Sequence, residues 1–254
     1  VERPWGCERL PKPFAMTTPV RVGEVWFEPP PQLEALLVKY IFTSEALSVQ
    51  VHPSDAEVPL GKRGKEECWL ILDTEPGAKL GIGFRRELDA DAMRAAALDG
   101  TIEDLLEWHS VEAGDFFYIP AGTVHAIGAG ISLIEVQQNS DMTYRLYDYG
   151  RPRELHLDAG MAVAQGSAYD RNLSRRVAPQ GSVCLVEGPH FRLDRVEGAP
   201  DPQTAARYDG PLLVIPLDGS AKVAGEFVRG GECACASSLS DVVFTGRNLI
   251  AQAC

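Results

Sequence analysis

The chain has 254 residues, of which 45% are hydrophobic and 24% charged. That composition excludes a disordered polymer and leaves enough chain to bury one large core or two small ones. Thirty-six acidic against 24 basic residues give a formal net charge of −12, which excludes broad attachment to nucleic acid or an anionic membrane, since both need a basic surface. A few local cations can still hold a small anion. No apolar run approaches the roughly 20 residues of a membrane helix. The opening Val1-Glu2-Arg3-Pro4-Trp5-Gly6 lacks the basic-then-apolar pattern of a secretory signal. The six cysteines include no CxxC pair and read as free thiols, so the expected compartment is the cytoplasm. Cys233-Ala234-Cys235 has no second pair with which to build a zinc site and receives no role.

Twenty-four Gly and 18 Pro scattered along the chain predict many turns and therefore many short strands. Residues 1–34 are Pro-rich and predict irregular chain with one short strand at Val25–Phe27. Two strands follow between Ala35 and His52. In the second, Ala46–His52, Leu47, Val49 and Val51 face one way and Ser48, Gln50 and His52 the other. Pro53-Ser54-Asp55 ends it, a Gly/Lys turn covers 61–65, and Cys68–Leu72 is a short apolar strand. Residues 87–108 differ in kind. Helix formers around Met93–Leu98, a stop at Gly100 and a fresh cap at Thr101 predict two short helices inserted among strands. Strands return from Phe116 to Asp148, broken at Pro120-Ala121-Gly122 and Gly128-Ala129-Gly130. Arg151–Arg176 reads as a polar connection, and short strands resume at Val183–Glu187, Phe191–Val196, Leu212–Pro216, Asp241–Phe244 and Leu249–Ala253. The pattern predicts a mainly β protein, a β-sandwich or jelly roll, in two unequal units. Residues 1–165 carry the helical insertion, and 166–254 form a connection plus a smaller β domain.

Two of the five histidines sit in unusual settings. Gln50 and His52 are an i, i+2 polar pair on a strand whose other face is aliphatic, so both side chains project into the same space. On a solvated face they need no partner. Inside a barrel they do, because unpaired buried polar groups are costly, and a metal ion is one such partner. His125 opens the strand after Pro120-Ala121-Gly122, a stiff turn of the kind that places a ligand accurately. Between them, Gly64-Lys65-Glu66-Glu67-Cys68-Trp69 offers a carboxylate at a strand start. Two neutral imidazoles, a carboxylate and an amide oxygen suit zinc or another first-row divalent ion. His109, His156 and His190 lie outside these motifs and read as surface or structural residues. Trp69 and Tyr147 read as core packing rather than sugar platforms. The stretch 143–176 carries six Arg and four acids; Arg151 and Arg153 read either as anion contacts or as part of a solvated basic connection.

Four segments taken together, Leu47–Asp55, Gly64–Trp69, Pro120–Ile127 and Glu135–Tyr149, resemble the type I mannose-6-phosphate isomerase (phosphomannose isomerase) family in its shorter bacterial form. That family consists of zinc-dependent cupins. The match runs in order over residues 20–160, and residues 180–254 resemble the family's small C-terminal β domain only loosely. The resemblance implies a bicupin-like cupin jelly roll, with one Zn2+ per chain held by Gln50, His52, Glu67 and His125. It also implies that Lys65, Glu135, Asp141 and Arg145 form the catalytic pocket, with Lys65 and Arg145 binding substrate and Arg145 close to the reacting carbons. The implied substrate is a small-molecule sugar phosphate, and the implied reaction interconverts mannose 6-phosphate and fructose 6-phosphate through an enediol. Glu66 stands where this short form often has a small or hydroxyl residue, which leaves two adjacent carboxylates to choose between. Two other readings stay compatible: a metal-binding cupin acting on another sugar phosphate, and a sugar-binding cupin module without catalysis. The complete ligand set beside Lys65 and Arg145 favours the isomerase. The sequence assigns no oligomeric state.

Overall fold

The computed structural model describes residues 1–254. The chain divides into two compact units: Val1–Glu8 with Pro19–Trp26 and Lys39–Arg175, and Arg9–Thr18 with Phe27–Val38 and Arg176–Cys254. The first 34 residues are not irregular. Strands β1 (Glu2–Leu10) and β2 (Met16–Val22) pair as a two-stranded sheet, followed by β3 (Glu24–Phe27). Most of their side chains are exposed or half-buried, so they carry no apolar alternation by which a sequence shows a strand.

The first unit continues with the Lys39–Thr43 part of β4 (Leu36–Thr43), then β5 (Val49–Val51), β6 (Glu67–Thr74), β7 (Lys79–Phe84), β8 (Leu106–Ser110) and β9 (Asp115–Ile119). After these come β10 (His125–Ile127), β11 (Ile131–Gln138), β12 (Tyr144–Tyr147) and β13 (Ser174–Arg176). They form two sheets, in the orders β12-β5-β10-β7-β8 and β13-β9-β6-β11-β4-β3. Ile41, Trp69, Ile71, Leu80, Ile82, Phe117, Ile127 and Leu133, drawn from both sheets, make one buried cluster, which is the filling of a sandwich. Val49, Val51, Ala126 and Leu146, from the opposite face of the five-stranded sheet, make another with Met93, Ala96 and Ala97.

Those last three residues belong to α1 (Ala90–Asp99), which with α2 (Ile102–Leu105) forms the predicted insertion. Asp89 caps α1 by accepting from Ala92 N, and Gly100 ends it in the left-handed region at φ 86°. A further helix, α3 (Leu157–Val163), rises in the stretch expected to be a plain connection. Its Leu157, Met161 and Val163 pack on the same outer cluster. Leu47 departs from its expected face: it precedes the three-residue β5 and packs in the inner cluster, while Val49 and Val51 pack in the outer one.

The second unit contains β14 (Val183–Glu187), β15 (Phe191–Glu197), the short α4 (Pro202–Ala205), β16 (Leu212–Pro216), β17 (Ser220–Val223) and β18 (Glu226–Arg229). It ends with β19 (Ala234–Ala236), β20 (Val242–Thr245) and β21 (Arg247–Ala253). The sheet orders are β14-β15-β21-β16-β19 and β18-β17-β20, around Val196, Leu212, Val214, Phe244 and Ile250. Asp194 is fully buried there and is satisfied by the Tyr208 hydroxyl (2.7 Å) and by Arg207. All six cysteines are free thiols, and no helix is long and apolar enough to cross a membrane.

Candidate metal centre

The period of two along a strand puts the polar side chains of the first unit on the inner face. Trp69 and Ile71 point into the filling, so Glu67 does too; Leu133 brings Glu135 and Gln137 with it, and Ile41 brings Lys39. On the facing sheet Val49 and Val51 turn outward, which turns Gln50 inward. Pairing then gathers the site. His125 lies opposite Gln50 on one side of β5 and Arg145 lies opposite it on the other, while Gln137 lies opposite Glu67 between β11 and β6.

Loop contacts set the remaining distances. Gly122 N donates to His52 O (2.8 Å), tying the turn before His125 to the residue that follows β5. Lys65 N donates to Pro53 O (2.9 Å), and Gly64 N donates to Asp55 Oδ1 (2.6 Å). A Cβ on residue 64 would lie 2.5 Å from Asp55 N and from Ser54 C. Only glycine lets the two loops run this close.

The donor atoms of His52, Glu67 and His125 all lie within 4.8 Å of one another. His52 Nε2 stands 3.4 Å from Glu67 Oε2, and His125 Nε2 stands 3.5 Å from Glu67 Oε1. Bonds of about 2.1 Å arranged tetrahedrally give donor-to-donor edges of about 3.4 Å. Each ring turns Nδ1 to a backbone carbonyl, His52 to Met142 O and His125 to Thr123 O, both at 2.9 Å. The neutral ring therefore carries its proton on Nδ1 and presents the Nε2 lone pair to the cluster. Burial holds the His52 ring well below its ordinary pKa and pushes His125 down to about 4. Glu67 is fully buried, and its Oε1 has no hydrogen-bond partner. A buried carboxylate with one orphaned oxygen, beside two neutral imidazole lone pairs, is a donor set that fits a divalent metal.

One predicted detail comes out differently in its geometry, and the choice between two adjacent carboxylates falls as expected. The Gln50 amide turns Nε2, not Oε1, to His125 Nε2 (3.3 Å), and its Oε1 accepts from Ser48 Oγ (3.1 Å). Ligation through oxygen requires that amide to rotate half a turn. Of the adjacent carboxylates, Glu67 meets the imidazoles, whereas Glu66 accepts from the Tyr118 hydroxyl and turns away.

A cavity of about 610 Å³ opens beside the cluster, lined by Gln50, Lys65, Glu135, Asp141 and Arg145 among others. The Lys65 ammonium donates to Glu67 Oε2, lies 3.2 Å from His52 Nε2 and stands 3.8 Å from Glu135 Oε1. Burial pushes its pKa down to about 7, against the pull of Glu135. Burial acts to raise the Glu135 carboxyl, but Lys65 and Lys39 together outweigh it and hold the group down at about 2. Glu135 also accepts from Lys39 Nζ (3.1 Å) and Trp69 Nε1 (3.0 Å), so buried Trp69 both fills the core and aims a carboxylate.

Lys39, Trp26 and His156, which no motif singled out, line the same cavity, as does Arg153. Lys39 did leave a signal, a lysine in the middle of the apolar run Leu36–Thr43. His156 left none. Arg153 and Arg151 both bond the buried Asp148 carboxylate, Arg153 at 2.5 and 2.6 Å and Arg151 at 3.1 Å. Neither is freely solvated, and Arg153 also lines the cavity. His109 has its ring against Phe117 and Tyr169, and Tyr147 packs in the outer cluster.

Two packed sheets enclosing a buried His/Glu/His cluster define a cupin with a candidate metal centre. No family model matches the chain. It is 36% identical over 200 residues to the mannose-6-phosphate isomerase of Streptococcus mutans, a match taking in 74% of this chain and 62% of that one. It is 43% identical over 209 residues to mannose-6-phosphate isomerase ManA of Bacillus subtilis (76% and 65%), and 39% over 214 residues to the probable mannose-6-phosphate isomerase GmuF of the same organism (79% and 67%). The chain thus spans about two thirds of the length of the curated relatives it matches. In fold it is similar to a crystal structure of the mannose 6-phosphate isomerase from Bacillus subtilis, with a TM-score of 0.75 at 22% identity, covering 99% of this chain and 96% of that one. A zinc-bound mannose 6-phosphate isomerase gives a TM-score of 0.72 at 14% identity, with 100% and 97% coverage. The chain belongs to the mannose-6-phosphate isomerase family.

Proposed function

We propose that the chain is a zinc-dependent aldose–ketose isomerase interconverting mannose 6-phosphate and fructose 6-phosphate, working in the cytoplasm as one family member among the relatives above. The observation that carries this reading is the buried His52–Glu67–His125 donor cluster opening beside a cavity lined by Lys65, Glu135, Asp141 and Arg145. In this reading His52, Glu67 and His125 hold the metal, with Gln50 as a fourth ligand once its amide turns. Bound zinc supplies a Lewis acid at the substrate oxygens.

The protein groups do the rest. The carbonyls of Met142 and Thr123 keep both imidazoles in the ligating tautomer. The reaction moves a proton between C2 and C1, and Lys65 and Glu135 are the acid–base groups beside the cluster, with Asp141 a third on the cavity. Lys39 and Trp69 fix the Glu135 carboxylate, which in turn faces Lys65. Arg145, permanently charged, stabilises negative charge that develops on oxygen. The substrate is small and anionic, and these few cations suffice to hold it in a chain of net charge −12.

The test is metal analysis of the purified protein together with a mannose 6-phosphate to fructose 6-phosphate assay, with and without chelator. About one zinc per chain and chelator-sensitive isomerisation support the reading. Metal without isomerisation overturns the substrate and keeps the metal centre.

A further inference from the structure

Arg145 is held from one short segment. Its guanidinium Nη1 donates to Glu154 O (2.7 Å), its backbone N–H donates to His156 Nδ1 (3.1 Å), and its carbonyl accepts from His156 N (2.8 Å). With Nδ1 accepting, the neutral His156 ring carries its proton on Nε2. That Nε2–H finds no protein acceptor within hydrogen-bond distance; the Glu154 carboxylate, 84% exposed, stands 4.0 Å away. The ring lines the cavity together with Arg145 and Arg153. Arg145 Nε is a buried donor without a partner. Arg153 commits Nε and Nη2 to Asp148, which leaves Nη1.

We propose that His156 belongs to the substrate site: its Nε2–H, with the guanidinium group of Arg153, binds the dianionic phosphate of a phosphate monoester, while Nδ1 keeps Arg145 in register for the reacting end of the sugar. The inference rests on the isomerase reading for the identity of the sugar. The ligand class follows from the donors alone. Residues 153–156 bring to the cavity the uncommitted Nη1 of a guanidinium group and a ring N–H, with Arg145 adding positive charge nearby and the exposed Asp141 carboxylate facing them. Such a set matches the acceptor oxygens of a phosphate.

The two ring nitrogens can be separated in the zinc-loaded protein. His156→Asn puts an amide oxygen where Nδ1 stands and nothing at Nε2. His156→Gln reaches the Nε2 position with an amide N–H and leaves the Nδ1 position empty. Inorganic phosphate is the probe, by calorimetric titration and as a competitor of mannose 6-phosphate turnover. His156→Asn is expected to bind phosphate about tenfold or more weakly, the weakening that loss of one charge-assisted hydrogen bond produces. KM for mannose 6-phosphate should rise in parallel, and His156→Gln should bind phosphate more tightly than His156→Asn while losing more kcat, since its empty Nδ1 position no longer holds Arg145. If Gln binds phosphate no better than Asn, or both bind phosphate as wild type does, the proposal is overturned. In the wild-type protein, phosphate must also shift the His156 Nε2–H resonance in 15N NMR; an unmoved resonance overturns the proposal independently of any variant. Wild-type protein that binds phosphate without isomerising mannose 6-phosphate defeats the isomerase reading, and the titrations still decide for His156.

Discussion

Glu67 has one oxygen on the Lys65 ammonium and the other on nothing, and it is fully buried. A carboxylate in that position is costly without a second cation, which is why the three donors are read together rather than one by one. His125→Ala removes one lone pair of the cluster and opens a gap beside Trp69, whose ring lies 5.3 Å from the imidazole. It is expected to lose both bound metal and turnover, checked by elemental analysis and assay of the same sample; an active, metal-loaded variant removes His125 from the ligand set. Arg145→Ala leaves all four candidate ligands untouched. It should retain about one zinc and lose roughly 100-fold or more in kcat, the scale seen when a charge-stabilising donor is deleted. Unchanged turnover would take Arg145 out of the reaction.

At the scale of elements, the site exists because short strands and glycine-bearing loops stack their ends together. β5 is only three residues long, yet it pairs with β10 on one side and β12 on the other, and Gln50 is the shared register point. The Pro53–Asp55 loop lies against Gly64 with no room for a Cβ. Gly64→Ala must push Lys65 and Glu67 away from His52 or strain the loop. Overpacking of this kind costs about 1–3 kcal/mol, and displaced ligands weaken the metal. Melting curves and chelator competition should both register it; normal zinc affinity in a normally stable Gly64→Ala protein would show that the loop contact does not position the ligands. α1 and α2 sit on the outer cluster, away from the donors, so substitutions at exposed Leu98 (67% exposed) are expected to leave metal content unchanged.

For the whole molecule, a metal would join the two sheets of the first unit, since Glu67 comes from one and His125 from the other. Zinc at 1,000 times its Kd stabilises the folded state by about 4 kcal/mol, which for a chain of this size is a rise in Tm of about 10 °C. Scanning calorimetry before and after chelation checks this. A Tm that ignores chelator in zinc-containing protein would mean the metal sits elsewhere or on the surface.

Much of the site was legible in the residues because strand parity is a local rule. Gln50 and His52 at i, i+2 share a face without any tertiary information, Glu67 and His125 join them through the family resemblance, and the helical insertion announces itself through the helix formers Met93–Leu98 and the stop at Gly100. What stayed hidden depends on which surfaces meet. β1 and β2 are largely exposed and show no alternation. Leu47 changes cluster because the chain leaves the strand, a matter of loop path. The choice between Glu66 and Glu67, the buried role of Lys39, the Asp148 anchorage of Arg151 and Arg153, and the place of His156 all require distant segments to be packed together. Local sequence determined which side chains share a face. The tertiary structure decided which faces enclose one space, because that depends on register and loop contacts between residues as far apart as His52 and Met142.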